Sequence, residues 1–261
     1  MEQKKLDGLT TRSLGRHFIW LDEVDSTNNY CKNNVSVLPH GTVVAAGHQT
    51  AGRGTRSRTW DSTPGDGLAH SFLLGGMTPV DISILPLLAG LAVVTAAKEE
   101  YSVDAAIKWS NDIVVGGKKL CGILCESRIG GGESAAVVGI GVNISQSETD
   151  FLDIGLVYAT SLLEVTGIIY EPLQVAVDIL NRFEPLLDRY LSEGFSGVLR
   201  DRYKQHCITL GREVRIISKN GEVTGEAIDI AHDGSLIVLL GGVREVVRAG
   251  DVSVRGVYGY V

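Results

Sequence analysis

The apolar positions of this chain divide it near residue 207. Before that point, short β-branched runs alternate with longer segments of helical period. Residues 18–21, 41–47, 67–74, 105–109, 119–126 and 134–143 read as strands, and the Gly116-Gly117 turn makes 114–126 a hairpin. Asp25-Ser26-Thr27-Asn28 opens a helix to about residue 35, with side chains suited to capping free N–H groups. Residues 85–100 form a helix that is apolar nearly all round, which predicts burial against a sheet, with Pro86 in its first turn. Residues 171–191 are amphipathic, kinked or split at Pro185 and ended by Gly194, and 195–206 make a shorter helix. Residues 1–16 are polar and are expected to fray or form one short turn.

Beyond residue 207 the period becomes two. Residues 213–217, 226–230, 236–240, 244–247 and 252–255 alternate between turns at Asn220-Gly221, Asp233-Gly234 and Gly241-Gly242. Five short strands in about fifty residues predict a small barrel. The expected class is α+β: a mixed sheet with packed helices over 1–207, then a small β domain over 208–261.

The composition narrows the chemistry. The 261 residues are 44% hydrophobic and 21% charged, ordinary globular proportions, and the net charge of −7 argues against bulk nucleic-acid binding. Four scattered cysteines make no disulfide framework, and Cys121 and Cys125 read as small buried hydrophobes. The six histidines form no ligand-spaced pair, and no signal core or apolar run of about 18 residues stands out. A cytoplasmic protein with no membrane association is expected.

On this acidic background, Gly52-Arg53-Gly54-Thr55-Arg56-Ser57-Arg58-Thr59-Trp60 is a local positive spot. Glycine lets backbone N–H groups come close to a ligand, and arginine offers a planar fork to phosphate or carboxylate. Trp60 adds a flat face for a purine. The run is not a P-loop, since Arg53-Gly54 stands where Lys-Ser/Thr is needed. It is not a dinucleotide fingerprint either, since Ser57 replaces the third glycine. A solvated basic loop is the competing reading. Further on, strand alternation puts Lys119, Cys121, Ile123 and Cys125 on one face, and Leu120, Gly122, Leu124 and Glu126 on the other. A lysine heading an apolar row either snorkels to solvent or finds an anion.

Four segments then occur in order: residues 49–54 (QTAGRG), 108–112 (KWSND), 118–126 (KKLCGILCE) and 139–144 (GIGVNI). Together they resemble the catalytic domain of the biotin protein ligases, over roughly residues 18–256. The resemblance implies a class II synthetase-like, biotin/lipoate-ligase-like mixed sheet and an SH3-like C-terminal barrel. It implies biotin and ATP as substrates, Mg²⁺, a biotin carboxyl carrier domain as acceptor and, by family habit, a homodimer. Mapped by position, the biotin pocket falls to Ser26, Thr27, Asn28, Gln49, Gly52, Arg53, Gly54, Thr55, Lys119 and Gly122. The nucleotide falls to Arg53, Arg56, Arg58, Trp60, Asn111, Lys119, Asn143, Arg215 and Arg255. Catalysis falls to Arg53, Lys108, Asp112 and Lys119, with Asp112 also the candidate Mg²⁺ ligand.

Two positions depart from the family pattern. Thr55 stands where a second arginine is usual, which removes a guanidinium from the loop that closes over the adenylate. Ser110 replaces a proline. The DNA-binding domain of the regulatory members is not expected, since the first catalytic strand begins near residue 18. A lipoate or octanoate ligase of the same superfamily and a non-catalytic biotin-binding protein are the alternatives.

Overall fold

The computed structural model describes residues 4–55, 58–60, 67–130, 133–218, 221–249 and 253–256. A seven-stranded sheet is assembled from β1 (Phe18–Val24), β2 (Val43–Gln49), β3 (Gly67–Gly75), β4 (Ala106–Lys108), β5 (Asp112–Val115), β6 (Lys118–Gly130) and β7 (Glu133–Asn143). Its order is β1-β2-β3-β7-β6-β5-β4. Only β1 and β2 pair in parallel, joined across α1 (Thr27–Asn33); every other neighbour is antiparallel.

One face of this sheet carries the core. Leu68, Phe72 and Leu74 of β3, Ile123 of β6, and Val138, Ile140 and Val142 of β7 pack with α2 (Pro79–Tyr101) and α5 (Pro172–Glu193). Phe72 meets Phe183 edge-on with ring centroids 4.8 Å apart. Each such fully buried side chain contributes about 1.5–3 kcal/mol relative to exposure. His70 sits within the same β3 row, 1% exposed, and neither ring nitrogen has a hydrogen-bond partner among the described residues. Burial pushes its pKa down to about 4.

The long apolar helix begins six residues earlier than its hydrophobic run suggests. Thr78 and Asp81 form a reciprocal cap, and Pro79 occupies the first turn. Pro86 therefore lies inside α2. By length and composition α2 could cross a membrane, yet two thirds of its apolar stretch is buried within the fold (67%). Pro185 does not split α5, which runs unbroken for 22 residues.

The N-terminal stretch does not fray throughout. The Glu184 carboxylate accepts the main-chain N–H groups of Arg12, Ser13 and Leu14, and Asn181 brackets Gly8 and Thr10. Burial works against the charged carboxyl, but these N–H bonds outweigh it and hold its pKa at about 2.

Past α6 (Gly197–His206), five strands form a second, antiparallel sheet: β8 (Glu213–Ser218), β9 (Gly221–Ile230), β10 (Leu236–Leu240), β11 (Val243–Val247) and β12 (Ser253–Gly256). Its order, β11-β10-β9-β8-β12, returns the last strand to the free edge of the first. It shares the main core through Val214, Ile216, Ala227, Leu236 and Val238. Trp109 pins the junction: its Nε1 donates to Gly234 O at 3.0 Å and its main-chain N to Thr209 Oγ1 at 2.9 Å.

Candidate active site

The opposite face of the large sheet is left open by glycine. Where β7 has valine or isoleucine toward the core, Gly139 and Gly141 face a cavity of about 320 Å³. A Cβ at Gly139 would overlap the Asn28 amide, and one at Gly141 would overlap the Trp60 indole. Gly122 on β6 continues the floor, and Ala69 on β3 also lines it.

At one end, α1 contributes Ser26, Thr27 and Asn28, all under 5% exposed. Ser26 is the N-cap residue by position, but its side chain makes no capping bond, contrary to the capping expectation. The polar groups here serve the cavity wall instead. Thr27 N donates to Gln49 Oε1 at 2.8 Å, and Ser71 Oγ donates to Asn28 Oδ1 at 2.6 Å. Asn28 Nδ2 donates to Leu124 O at 3.2 Å and to Glu126 Oε2 at 3.0 Å. The wall is thus an ordered array of amide and hydroxyl groups, suited to a neutral polar ring.

At the other end stands the glycine-arginine loop, closed as a small turn by the Arg53–Thr59 bridge and the Gly54 N to Arg58 O bond. Gly52 is required there, because a Cβ would run into the Trp60 carbonyl. Arg53 Nη1 reaches Glu126 and Asn29. Arg58 folds back on its own loop, donating through Nη2 to Thr55 Oγ1 at 3.0 Å. Thr55 thereby serves as an acceptor, a role that an arginine could not fill. Trp60 lies across Gly122 and Gly141, with Lys119 Nζ 5.5 Å from its ring centroid.

Lys119 corrects the alternation expected of β6. Opposite β5, Ile113 pairs with Cys121 while Val114 pairs with Lys119, so Leu120 is an extra residue in a bulge. The bulge shifts the phase and lays the Lys119 side chain over Gly122 on the cavity face, where a Cβ on Gly122 would meet Nζ at 3.1 Å. Lys119 neither snorkels freely nor lacks a partner: its Nζ is 2.7 Å from Asp112 Oδ1. Asp112 is 8% exposed and opposes Lys108 across the β4–β5 pair. Around Lys119 the main chain is stitched to the stretch after α3 (Glu148–Asp153), through Lys119 N to Tyr158 O and Thr160 N to Lys119 O.

Of the residues singled out from the sequence, Ser26, Thr27, Asn28, Gln49, Arg53, Gly54, Thr55, Arg58, Trp60, Asn111, Lys119, Gly122 and Asn143 line the cavity. Asp112 stands behind Lys119. Asn111 and Asn143 are not simple ligand hooks, since their amide nitrogens donate to the carbonyls of Ile123 and Thr160. Lys108 is not among the lining residues. Arg215 is not either: it pairs with Glu222 at 3.2 Å on the neighbouring strand. Arg56 and the Arg255 side chain lie outside the described residues. Sequence reasoning missed Glu126 as a partner and the apolar mouth of Ile154, Leu156, Val157 and Tyr158, each at least 40% exposed.

No trio of His, Cys, Asp or Glu among the described residues could hold a metal ion. A divalent cation here would need ligands from a bound phosphate; Asp112 lies beside the cavity, 2.7 Å from Lys119 Nζ, and Asp150 lines it.

Residues 20–143 match the biotin/lipoate A/B protein ligase family, and residues 209–255 match the biotin protein ligase C-terminal domain. The chain is 35% identical over 237 residues to the bifunctional ligase/repressor BirA of Bacillus subtilis, covering 88% of this chain and 72% of that protein. It is 30% identical over 250 residues to the biotin–[acetyl-CoA-carboxylase] ligase of Paracoccus denitrificans, covering 90% of this chain and 100% of that one. The structure of the Aquifex aeolicus biotin protein ligase in complex with biotin and ATP superposes with a TM-score of 0.78 at 29% identity, over 92% of this chain and 99% of that one.

Proposed function

The chain belongs to the biotin protein ligases, and from that premise we propose how its cavity makes biotinyl-5'-adenylate and passes biotin to a lysine of a carrier protein. The observation that carries the reading is the meeting, in one cavity, of a neutral hydrogen-bonding wall and a cluster of cations. Ser26, Thr27, Asn28 and Gln49 suit the ureido ring of biotin; Arg53, Arg58 and Lys119 suit anions.

Activation joins the biotin carboxylate to the α-phosphorus of ATP and breaks the bond to pyrophosphate. Two anions must approach, so positive groups fixed in advance lower the barrier most. Lys119, held by Asp112 and laid over Gly122 on the cavity floor, is the cation assigned to that approach. Asp112 is the protein residue that would hold a Mg²⁺ brought in with ATP, and the ion would supply charge to screen the phosphates. In the second step the carrier amine attacks the acyl carbon and AMP leaves. Asp112 is assigned the proton of that amine.

Further parts of the reading rest on family resemblance: a carboxylase carrier domain as acceptor, a cytoplasmic setting and a homodimer. The low pI of 5.4 supports a role without nucleic acid. Incubation with biotin, MgATP and a biotin carrier domain should give a streptavidin-reactive product. Loss of that product when the acceptor lysine is replaced by arginine is expected, and no product from the intact acceptor would reject transfer to it.

A further inference from the structure

Glu126 has no role in the reading above, yet it joins Asn28 of the polar wall to Arg53 of the glycine-arginine loop. Its side chain is 18% exposed. Oε1 accepts from Lys32 Nζ at 2.7 Å and from Arg53 Nη1 at 2.8 Å. Oε2 accepts from the same Nη1 and from Asn28 Nδ2, both at 3.0 Å. Burial works against the ionised carboxyl, but the bonds from Lys32 and Asn28 and the charges of Lys32 and Arg53 outweigh it and lower its pKa. Among the described residues, the side-chain bonds of Arg53 all leave from Nη1, the third going to Asn29 Oδ1 at 3.0 Å. Among the described residues its Nε and Nη2 donate to no protein group, which leaves them as donors to an anion.

The same carboxylate sits in a longer chain of bonds. Asn28 Oδ1 is held by Ser71, whose hydroxyl lies 2.7 Å from Thr27 Oγ1, and Thr27 is held by Gln49. The polar wall and the guanidinium are therefore set by one network with Glu126 as its charged link. Lys32 and Arg53 together exceed Glu126 by one positive charge, so the cluster can still attract a phosphate or carboxylate.

We propose that Glu126 is a positioning residue for biotin activation, fixing Arg53 of the glycine-arginine loop while registering Asn28 of the polar wall beside it. The inference rests on the ligase reading above. A glutamate that merely competed with phosphate for Arg53 would have the opposite effect when neutralised, since the freed arginine would bind nucleotide more tightly.

Glu126→Gln separates the two functions, because glutamine still offers Asn28 an acceptor but carries no charge for Arg53. In biotin-dependent ATP–pyrophosphate exchange, its kcat/KM for ATP should fall about twentyfold or more, as expected when a charged anchor is lost. Its biotin Kd, from calorimetric titration, should stay within about threefold, since the neutral bond survives. On an Arg53→Ala background the same change should have no further effect on the ATP parameter, since residues that act as a unit are not additive.

A rise in ATP affinity, or an equal loss in both backgrounds, overturns the proposal. Should Glu126→Gln melt early, Asn29→Ala carries the test, because it removes another Nη1 acceptor without touching the buried carboxylate. It must lower kcat/KM for ATP severalfold, and an unchanged value overturns the proposal. Absence of exchange in the unaltered protein would instead reject the ligase reading, so the two failures are distinguishable.

Discussion

Along β7, Val138, Ile140 and Val142 join the core, while Gly139 and Gly141 on the same strand face the cavity. One face is filled by side chains from α2 and α5; the other packs Ala135 and Val137 with Cys31 but is bare at Gly139 and Gly141, so that Asn28 and Trp60 can lie against backbone. The difference separates two kinds of importance. A core residue matters by its volume, and each missing methylene leaves a cavity. A cavity-face glycine matters by what it lacks.

Exchanging these roles should break the comparison in opposite ways. Ile140→Ala should cost about 2–5 kcal/mol of stability by chemical denaturation. Its side chain packs in the core rather than in the polar wall, so biotin affinity at a permissive temperature should hold. Gly139→Ala should do the reverse. Its methyl must displace the Asn28 amide, and misplacing a binding group by about 1 Å costs on the order of a hundredfold in turnover. Pyrophosphate exchange should fall by that order while the denaturation midpoint moves little.

The core face has one residue that does not suit it, and replacing it sharpens the contrast. His70 is buried neutral, with its pKa lowered from 6.5 to about 4. The unfolded chain takes up the proton first, so the stability tied to this neutral ring is present above pH 6.5. It is lost as the pH falls toward 4. His70→Leu should flatten that acid limb and, by removing ring nitrogens without partners, raise stability at pH 7 by about 1–3 kcal/mol. An unchanged slope between pH 6.5 and 4 in urea titrations would show that the ring is satisfied in solution.

The smallest effect belongs to the loop on the cavity face. Thr55→Val deletes the acceptor of Arg58 Nη2 and leaves the bonds from Arg58 Nε and main-chain N to Thr55 O. Because the pair is exposed, the loss should be modest, about three- to tenfold faster release of labelled adenylate. Equal off-rates would mean that Arg58 does not hold the loop shut.

Local chemistry made most of this legible. The Gly116-Gly117 turn specifies the β5–β6 hairpin, and the period-two pattern after residue 207 specifies β8–β12. Trp60 and its loop are visible from composition alone. What stayed hidden needs contacts distant in sequence. Nothing near Leu120 announces a bulge, which arises from pairing with β5, so strict alternation puts Lys119 on the wrong face. Glu126 and Arg53 are 73 positions apart, and no periodicity links them. The short helices α3 and α4 (Leu162–Thr166) were readable in principle from Ser147 with Asp150 and Ser161 with Glu164, but each has too few apolar positions to show a helical period.

The central claim is that one cavity holds biotin and ATP together long enough to react. Exchange of labelled pyrophosphate into ATP measures that reaction without an acceptor protein. The account predicts exchange that depends on biotin, is not supported by lipoate or octanoate, and leaves an enzyme-bound species with the mass of biotinyl-adenylate. Exchange driven equally by lipoate, or none with biotin, would contradict it.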